Sequence, residues 1–217
     1  MNETVGAVLL AAGAGSRLGH RAKSLLMLDG VPLIRGQIAA LFGAGVVEVV
    51  VVIGHYAAAI EAELACLPVK RIINPNPDAG QGASLRIGLR HLSAEVRAVI
   101  VALADQPLVT HDDVSALIHA FDHRVSGASM VVPQVANEPG NPVMIEAALR
   151  DEWLSGESLT MGRDWREANP SRVQFFDTEN AHFRVDIDTP EDITTFNARF
   201  GRTLGWPDSL PAEKPTA

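Results

Sequence analysis

Val5-Gly6-Ala7-Val8-Leu9-Leu10-Ala11-Ala12-Gly13-Ala14-Gly15-Ser16-Arg17-Leu18-Gly19 is the stretch that decides the fold. Val5 to Leu10 is apolar without interruption and stops at a cluster of glycines. A strand with one wet face would alternate polar and apolar residues, so this run reads as a parallel strand covered on both faces. Glycines at its end let the backbone turn sharply and bring N–H groups close to phosphate oxygens, and Arg17 and Lys23 add the charge that a triphosphate requires. The segment therefore reads as a phosphate cradle. Two other glycine loops do not fit. A dinucleotide fingerprint needs its third glycine one residue earlier and an acid at the end of the next strand, which here ends Val52-Ile53-Gly54-His55. A Walker loop needs Gly-Lys-Ser/Thr, whereas His20 follows Gly19 and Lys23-Ser24 follows Ala22.

Outward from this stretch, helical and extended patterns alternate. Helices are expected from about Pro32 to Phe42, Ala57 to Cys66 and Ala83 to Leu92, and strands from Val46 to Ile53, Val69 to Ile73 and Ala98 to Leu103. That alternation predicts an α/β fold of three layers, α/β/α, whose mixed, mostly parallel central sheet holds ligands outside the carboxyl ends of its strands. After a helix from Asp112 to His123, the pieces Ser129–Pro133 and Asn141–Ile145 suggest antiparallel pairing. A helix near Met144–Leu154 and strands near Arg172–Asp177 and Phe183–Ile187 follow. A last helix starts at Thr189-Pro190-Glu191-Asp192, with Thr189 as its cap. Residues 1–200 read as one domain, and 201–217, rich in glycine, proline and charge, as a flexible tail.

Two carboxylates fall at the expected ligand edge. Asp105 follows a strand without a polar residue and precedes Pro107, which places it at the crevice, where it could hold Mg²⁺. Asp186 and Asp188 alternate along an expected strand end, so only one of them should face the same cleft, and Asp188 is expected to be that one. Mg²⁺ needs no more than one or two carboxylates beside substrate phosphates and water. His119 and His123 stand one helical turn apart on an amphipathic helix and read as a solvated face. His20 adjoins the cradle, and Trp153 and Trp165 flank a polar loop that they either line or underlie.

Composition bounds the class. The net charge of −8 over 217 residues excludes a protein that grips nucleic acid through a broad basic face. The single Cys66, the absence of a basic segment at the start and the shortness of the first apolar run lead to the expectation of a cytoplasmic protein that does not span a membrane.

Five segments together resemble a known family, the glycosyltransferase-A-like (Rossmann-like) nucleotidyltransferases, and within it the MobA-like NTP transferases that act as molybdenum cofactor cytidylyltransferases. They are Leu10-Ala11-Ala12-Gly13-x-Gly15-x-Arg17-x-Gly19 with Lys23, Asn76-Pro77 followed by Gly80-Gln81-Gly82-Ala83-Ser84-Leu85, Ala104-Asp105-Gln106-Pro107-Leu108, Gly140-Asn141-Pro142-Val143, and Asp186-Ile187-Asp188-Thr189-Pro190-Glu191-Asp192. The resemblance covers roughly residues 5 to 195. It implies a nucleotide-binding half to about residue 110 and an acceptor-binding half over about 111–200. It also implies nucleotide contacts from Leu10, Ala11, Ala12, Gly13, Gly15, Ser16, Arg17 and Lys23, with Gly82 and Ser84 facing the base. Mg²⁺ would sit on Asp105 and Asp188, the acceptor at Gly140, Asn141 and Pro142, and Lys23, Arg17 and Asp105 would be catalytic. The implied reaction moves CMP from CTP to the phosphate of molybdopterin with release of pyrophosphate, and a recipient molybdoenzyme is an implied partner. The family's Gly-Asp-x-Gly-Ala-Arg segment is replaced here by Gly156-Glu157-Ser158-Leu159-Thr160-Met161-Gly162-Arg163. Transfer from GTP, or to a sugar or alcohol phosphate, and a non-catalytic molybdopterin carrier are the alternatives.

Overall fold

A computed structural model describes residues 4–156 and 160–207. The opening stretch forms β1 (Val5–Ala11), in which every residue is buried. A short hairpin, β2 (Met27–Leu28) and β3 (Val31–Pro32), leads into α1 (Leu33–Gly43). The chain then alternates: β4 (Glu48–Ile53), α2 (Ala57–Leu64), β5 (Lys70–Ile73), α3 (Gln81–His91), β6 (Ala98–Leu103) and α4 (His111–Asp122). β7 (Met130–Val135), β8 (Glu138–Pro139), β9 (Val143–Glu146), α5 (Ala147–Ser155), α6 (Gly162–Ala168), β10 (Val173–Asp177), α7 (Pro190–Phe200) and β11 (Leu204–Gly205) complete it.

The main sheet runs β10-β7-β9-β6-β1-β4-β5, with β8 paired to β7. β1 lies parallel to both β4 and β6, whereas β9 is antiparallel to β6 and β7, so the sheet is mixed as expected. One face packs under α1, α2 and α4 through residues such as Leu9, Val51, Ile34 and Phe121. The other packs under α3, α5 and α6 through Val8, Val52, Leu89, Trp153 and Trp165. This two-sided cover is why β1 and β6 are apolar at every position.

Three expectations need correction. No strand forms over 183–187: Ala181–Arg184 is a 3-10 turn, begun by the Asn180 side chain accepting the His182 N–H. The alternation of buried Phe183 and Ile187 imitates a strand, but the segment crosses the carboxyl edge of the sheet, bonding through the Phe183 carbonyl to Asn141 N–H and through Ile187 N–H to the Asp105 carbonyl. Of the polar loop read over 156–163, Gly162 and Arg163 belong instead to α6, a helix not expected over 162–168 and seated by buried Trp165. Residues 201–207, assigned to the tail, include β11, which pairs with β2 and buries Leu204. Residues 208–217 of that tail, and Glu157, Ser158 and Leu159 of the polar loop, lie outside the described residues.

Candidate active site

The carboxyl ends of β1 and β6 lie side by side, with Leu10 in register with Leu103. The chain leaving β1 forms the expected glycine turn. Gly15 has φ +57°, and its carbonyl accepts the N–H groups of Leu18 and His20 at 2.9 and 3.0 Å. A Cβ at Gly15 would stand 2.0 Å from the Arg21 carbonyl oxygen, so the turn admits only glycine. Gly13 and Ser16 are exposed at the loop, while Leu10, Ala11 and Ala12 are buried beneath it.

Lys23 joins distant parts of the chain. Its ammonium lies 3.5 Å from Asp105 Oδ2 and bonds Asp188 Oδ1, whose other oxygen accepts from Arg17 at 3.3 Å. Lys23 is 22% exposed and Arg17 71%, so the first is held in the cleft and the second stands in solvent. Asp105 Oδ1 is buried and has no hydrogen-bond partner. Burial pushes the Asp105 carboxyl above the ordinary carboxylate range, against the pull of Lys23 and with Asp186 and Asp188 adding to the rise. The Asp186 carboxyl is raised as well, first by burial and then by Asp188. Asp186 thus belongs to the same electrostatic cluster, although the strand alternation expected there is absent. Asp188 is aimed by the start of α7: the Asp192 carboxylate accepts the backbone N–H groups of Asp188 and Thr189 at 2.9 and 2.7 Å.

Among the described residues, no group of three or more His, Cys, Asp or Glu could hold a metal ion unaided. Asp105 and Asp188 around one cation, with a buried carboxylate oxygen left unpaired, nevertheless suit Mg²⁺, which takes its remaining ligands from phosphate and water. His119 and His123 face each other at 4.2 Å between ring centroids and bring no acid with them.

Leu10, Ala11, Gly13, Lys23 and Asp105 line a recess of about 90 Å³. Leu10 also borders a larger cleft of about 1070 Å³ that holds Gly82, Gly140 and Asn141. Ser84 is not brought there. It sits two residues after Gly82 on α3, about 200° around the helix, and its buried hydroxyl accepts from Asn74 Nδ2 at 2.9 Å. Pro142 is buried behind the turn. Trp153 and Trp165 are 0% and 1% exposed and meet edge-on, so they underlie the cleft rather than line it.

One residue given no role by sequence reading connects the two halves of the site. Gln106 is buried, its Nε2 donates to the carbonyls of Asn141 and Phe183 at 3.2 and 3.3 Å, and its own carbonyl accepts from Gln37 Nε2 at 2.6 Å. The turn after β6 and the turn at Gly140–Asn141 are thereby tied together. The signal available was a polar residue between an acid and a proline, which does not say where its amide points.

Residues 7–173 match the MobA-like NTP transferase domain family. Nicotine blue oxidoreductase of Paenarthrobacter nicotinovorans is 33% identical over 192 residues, covering 86% of this chain and 93% of that protein. CMP-5'-(3-aminopropyl)phosphonate synthase of Streptomyces rubellomurinus is 37% identical over 101 residues, which are 42% of this chain and 16% of that protein. Among solved structures, a nucleotidyl transferase from Methanothermobacter thermautotroptrophicus superimposes with a TM-score of 0.75 at 25% identity, covering 91% of this chain and 97% of that one. The CMP:2-keto-3-deoxy-manno-octonic acid synthetase complexed with CTP aligns with a TM-score of 0.70 at 17% identity, covering 92% and 99%, and shares the fold.

Proposed function

We propose that this chain, which belongs to the MobA-like NTP transferase family, is a nucleotidyltransferase that moves CMP from CTP to the terminal phosphate of molybdopterin. The observation that carries the reading is Lys23 held between Asp105 and Asp188, three residues far apart in sequence that meet at the carboxyl edge of β1 and β6. A structural ion pair would satisfy both carboxylates; here one oxygen of Asp105 is left buried and bare. CTP is preferred to GTP because two of the similar proteins are named for CMP or CTP, and because of the family likeness of Gly80 to Leu85.

In this reading the loop amides after β1 bind the triphosphate, and Arg17 and Lys23 offset its charge. The acceptor phosphate is ionised near neutral pH and attacks the α-phosphorus without a general base. A bond forms from its oxygen to that phosphorus, the bond to the bridging oxygen of the β-phosphate breaks, and pyrophosphate leaves with the electron pair. Asp105 and Asp188 would hold Mg²⁺, which when bound supplies charge neutralisation at the triphosphate. The Gly140–Asn141 turn, fixed to the β6 turn by Gln106, presents the acceptor side. Catalysis then rests on positioning and on electrostatic stabilisation of the leaving charge.

The test is pyrophosphate release with Mg²⁺ and each of the four ribonucleoside triphosphates, with and without molybdenum-loaded molybdopterin. Release that requires CTP and the cofactor together is expected. Release with GTP, or with a sugar or alcohol phosphate as acceptor, would keep nucleotidyl transfer and replace the substrates. One comparison favours a second reading, since a relative aligned over 86% of this chain is named an oxidoreductase. That reading predicts a change in the oxidation state of an added redox substrate and no pyrophosphate under any combination.

A further inference from the structure

Four arginines, Arg86, Arg163, Arg166 and Arg184, line the large cleft. Three are engaged. Arg86 donates to the Trp153 carbonyl, and Arg163 pairs at 2.8 Å with Glu167 one turn along α6. Arg184 donates to the Pro139 carbonyl at 2.8 Å and has Glu138 3.9 Å away. Arg166 is different: among the described residues no hydrogen bond or ion pair reaches its guanidinium, although it is half-buried. Burial holds its pKa below the usual arginine value, against the longer-range pull of Glu167 and with the Arg163 charge adding to the drop. The group stays charged at neutral pH, so it is a partly dehydrated cation that no carboxylate among the described residues contacts directly.

Its support is rigid. Trp165, the residue before it, is buried and packs edge-on against Trp153 of α5, whose carbonyl also receives Arg86. Glu167 and Glu138 are committed to Arg163 and Arg184, which leaves Asp164 as the remaining acid among the described residues that line the cleft. Neither Lys23 nor Arg17 lines this cleft, and the two cavities share Leu10 at their border.

We propose that Arg166, with Arg86 of α3, forms a second anion site that takes the phosphoryl group of the acceptor, separate from the triphosphate cradle at Lys23 and Arg17. The inference rests on the transferase reading, because that reading calls for a second anionic substrate beside the first. A planar guanidinium can fork onto two phosphoryl oxygens, which fixes the orientation of the attacking group as well as its position.

The probe is inorganic phosphate, titrated at constant ionic strength against chloride and followed by the rise in melting temperature. The Lys23→Gln protein should keep a phosphate-dependent rise, and Arg166→Gln introduced into it should weaken the apparent affinity by about tenfold or more, the loss expected for a charged hydrogen-bond pair. In the wild-type protein the Arg166 Nε–Hε NMR resonance, assigned by its loss in Arg166→Lys, should move on adding phosphate; this measurement stands whether or not Arg166→Gln folds. A still resonance, or an unchanged phosphate response in the double variant, overturns the proposal. Neither result depends on nucleotidyl transfer, so the transferase reading would survive that outcome and is tested separately by pyrophosphate release.

Discussion

Asp105→Asn should separate function from stability in this protein. The substitution keeps the size of the side chain and leaves untouched the backbone carbonyl that accepts Ile187 N–H at 3.2 Å. Two terms oppose each other. The lost attraction to the Lys23 ammonium, 3.5 Å from Oδ2, is roughly 5 kcal/mol gross at an effective dielectric constant of about 20. The cost of burying a carboxylate is of the same order, several kcal/mol. Burial is the largest influence on this carboxyl, and the net direction is upward, so the ionised form is held against the preference of the fold. Asn in its place should therefore leave stability within about 1 kcal/mol of wild type, a change in melting temperature within about 2–4 °C for a domain of this size. Activity has no such compensation: the cleft loses the carboxylate proposed to hold Mg²⁺ and the counter-charge of Lys23, and kcat for pyrophosphate release should fall by about 10² to 10³. The assay is release of pyrophosphate beside a thermal melt of the same preparation. Melting more than about 10 °C lower would make Asp105 a structural residue, and unimpaired turnover would remove it from the reaction.

Three further outcomes follow from the geometry. Gly15→Ala places a Cβ 2.0 Å from the Arg21 carbonyl oxygen at φ +57°, so nucleotide binding by calorimetry should weaken and stability should drop by about 1–3 kcal/mol. Trp153→Ala empties a site that is 0% exposed and should cost about 3–5 kcal/mol in denaturant unfolding, any activity lost tracking the unfolded fraction. Asp113 gives a pH signature: burial alone would raise its carboxyl, but bonds from His182 Nδ1 at 2.9 Å and from Thr110 outweigh that and lower it. Its folded value lies below the unfolded one, so its stabilisation is complete above the unfolded value of about 4 and is lost as pH falls through the folded value. Thermal melts between pH 6 and 3 should therefore decline more steeply for wild type than for Asp113→Asn.

Legibility in the sequence followed locality. The buried strands β1, β4 and β6, the glycine turn after the first of them and the Thr189 cap of α7 were readable because each is decided within one segment, by hydrophobic pattern or by capping chemistry. The capping box also explains why the start of α7 beside Asp188 was readable while the path leading to it was not: Asp192 fixes the helix start locally, whereas the path of 183–187 is set by bonds to Asn141 and Asp105. Ser84 shows the opposite failure. A motif shared with a family carries no helical phase, and the phase of α3 turns that hydroxyl to Asn74.

By itself the sequence determined the layered α/β fold, the glycine turn after β1 and the acid at the end of β6, because a continuous apolar run, a glycine cluster and an acid after a strand each constrain the chain within a few residues. The tertiary structure alone decided that Lys23 bridges Asp105 and Asp188, that Gln106 ties the two turns and that, among the described residues, no hydrogen bond or ion pair reaches the Arg166 guanidinium. Those facts depend on which distant groups meet and which remain unmatched, and charge pairing across more than eighty residues leaves no mark in local spacing.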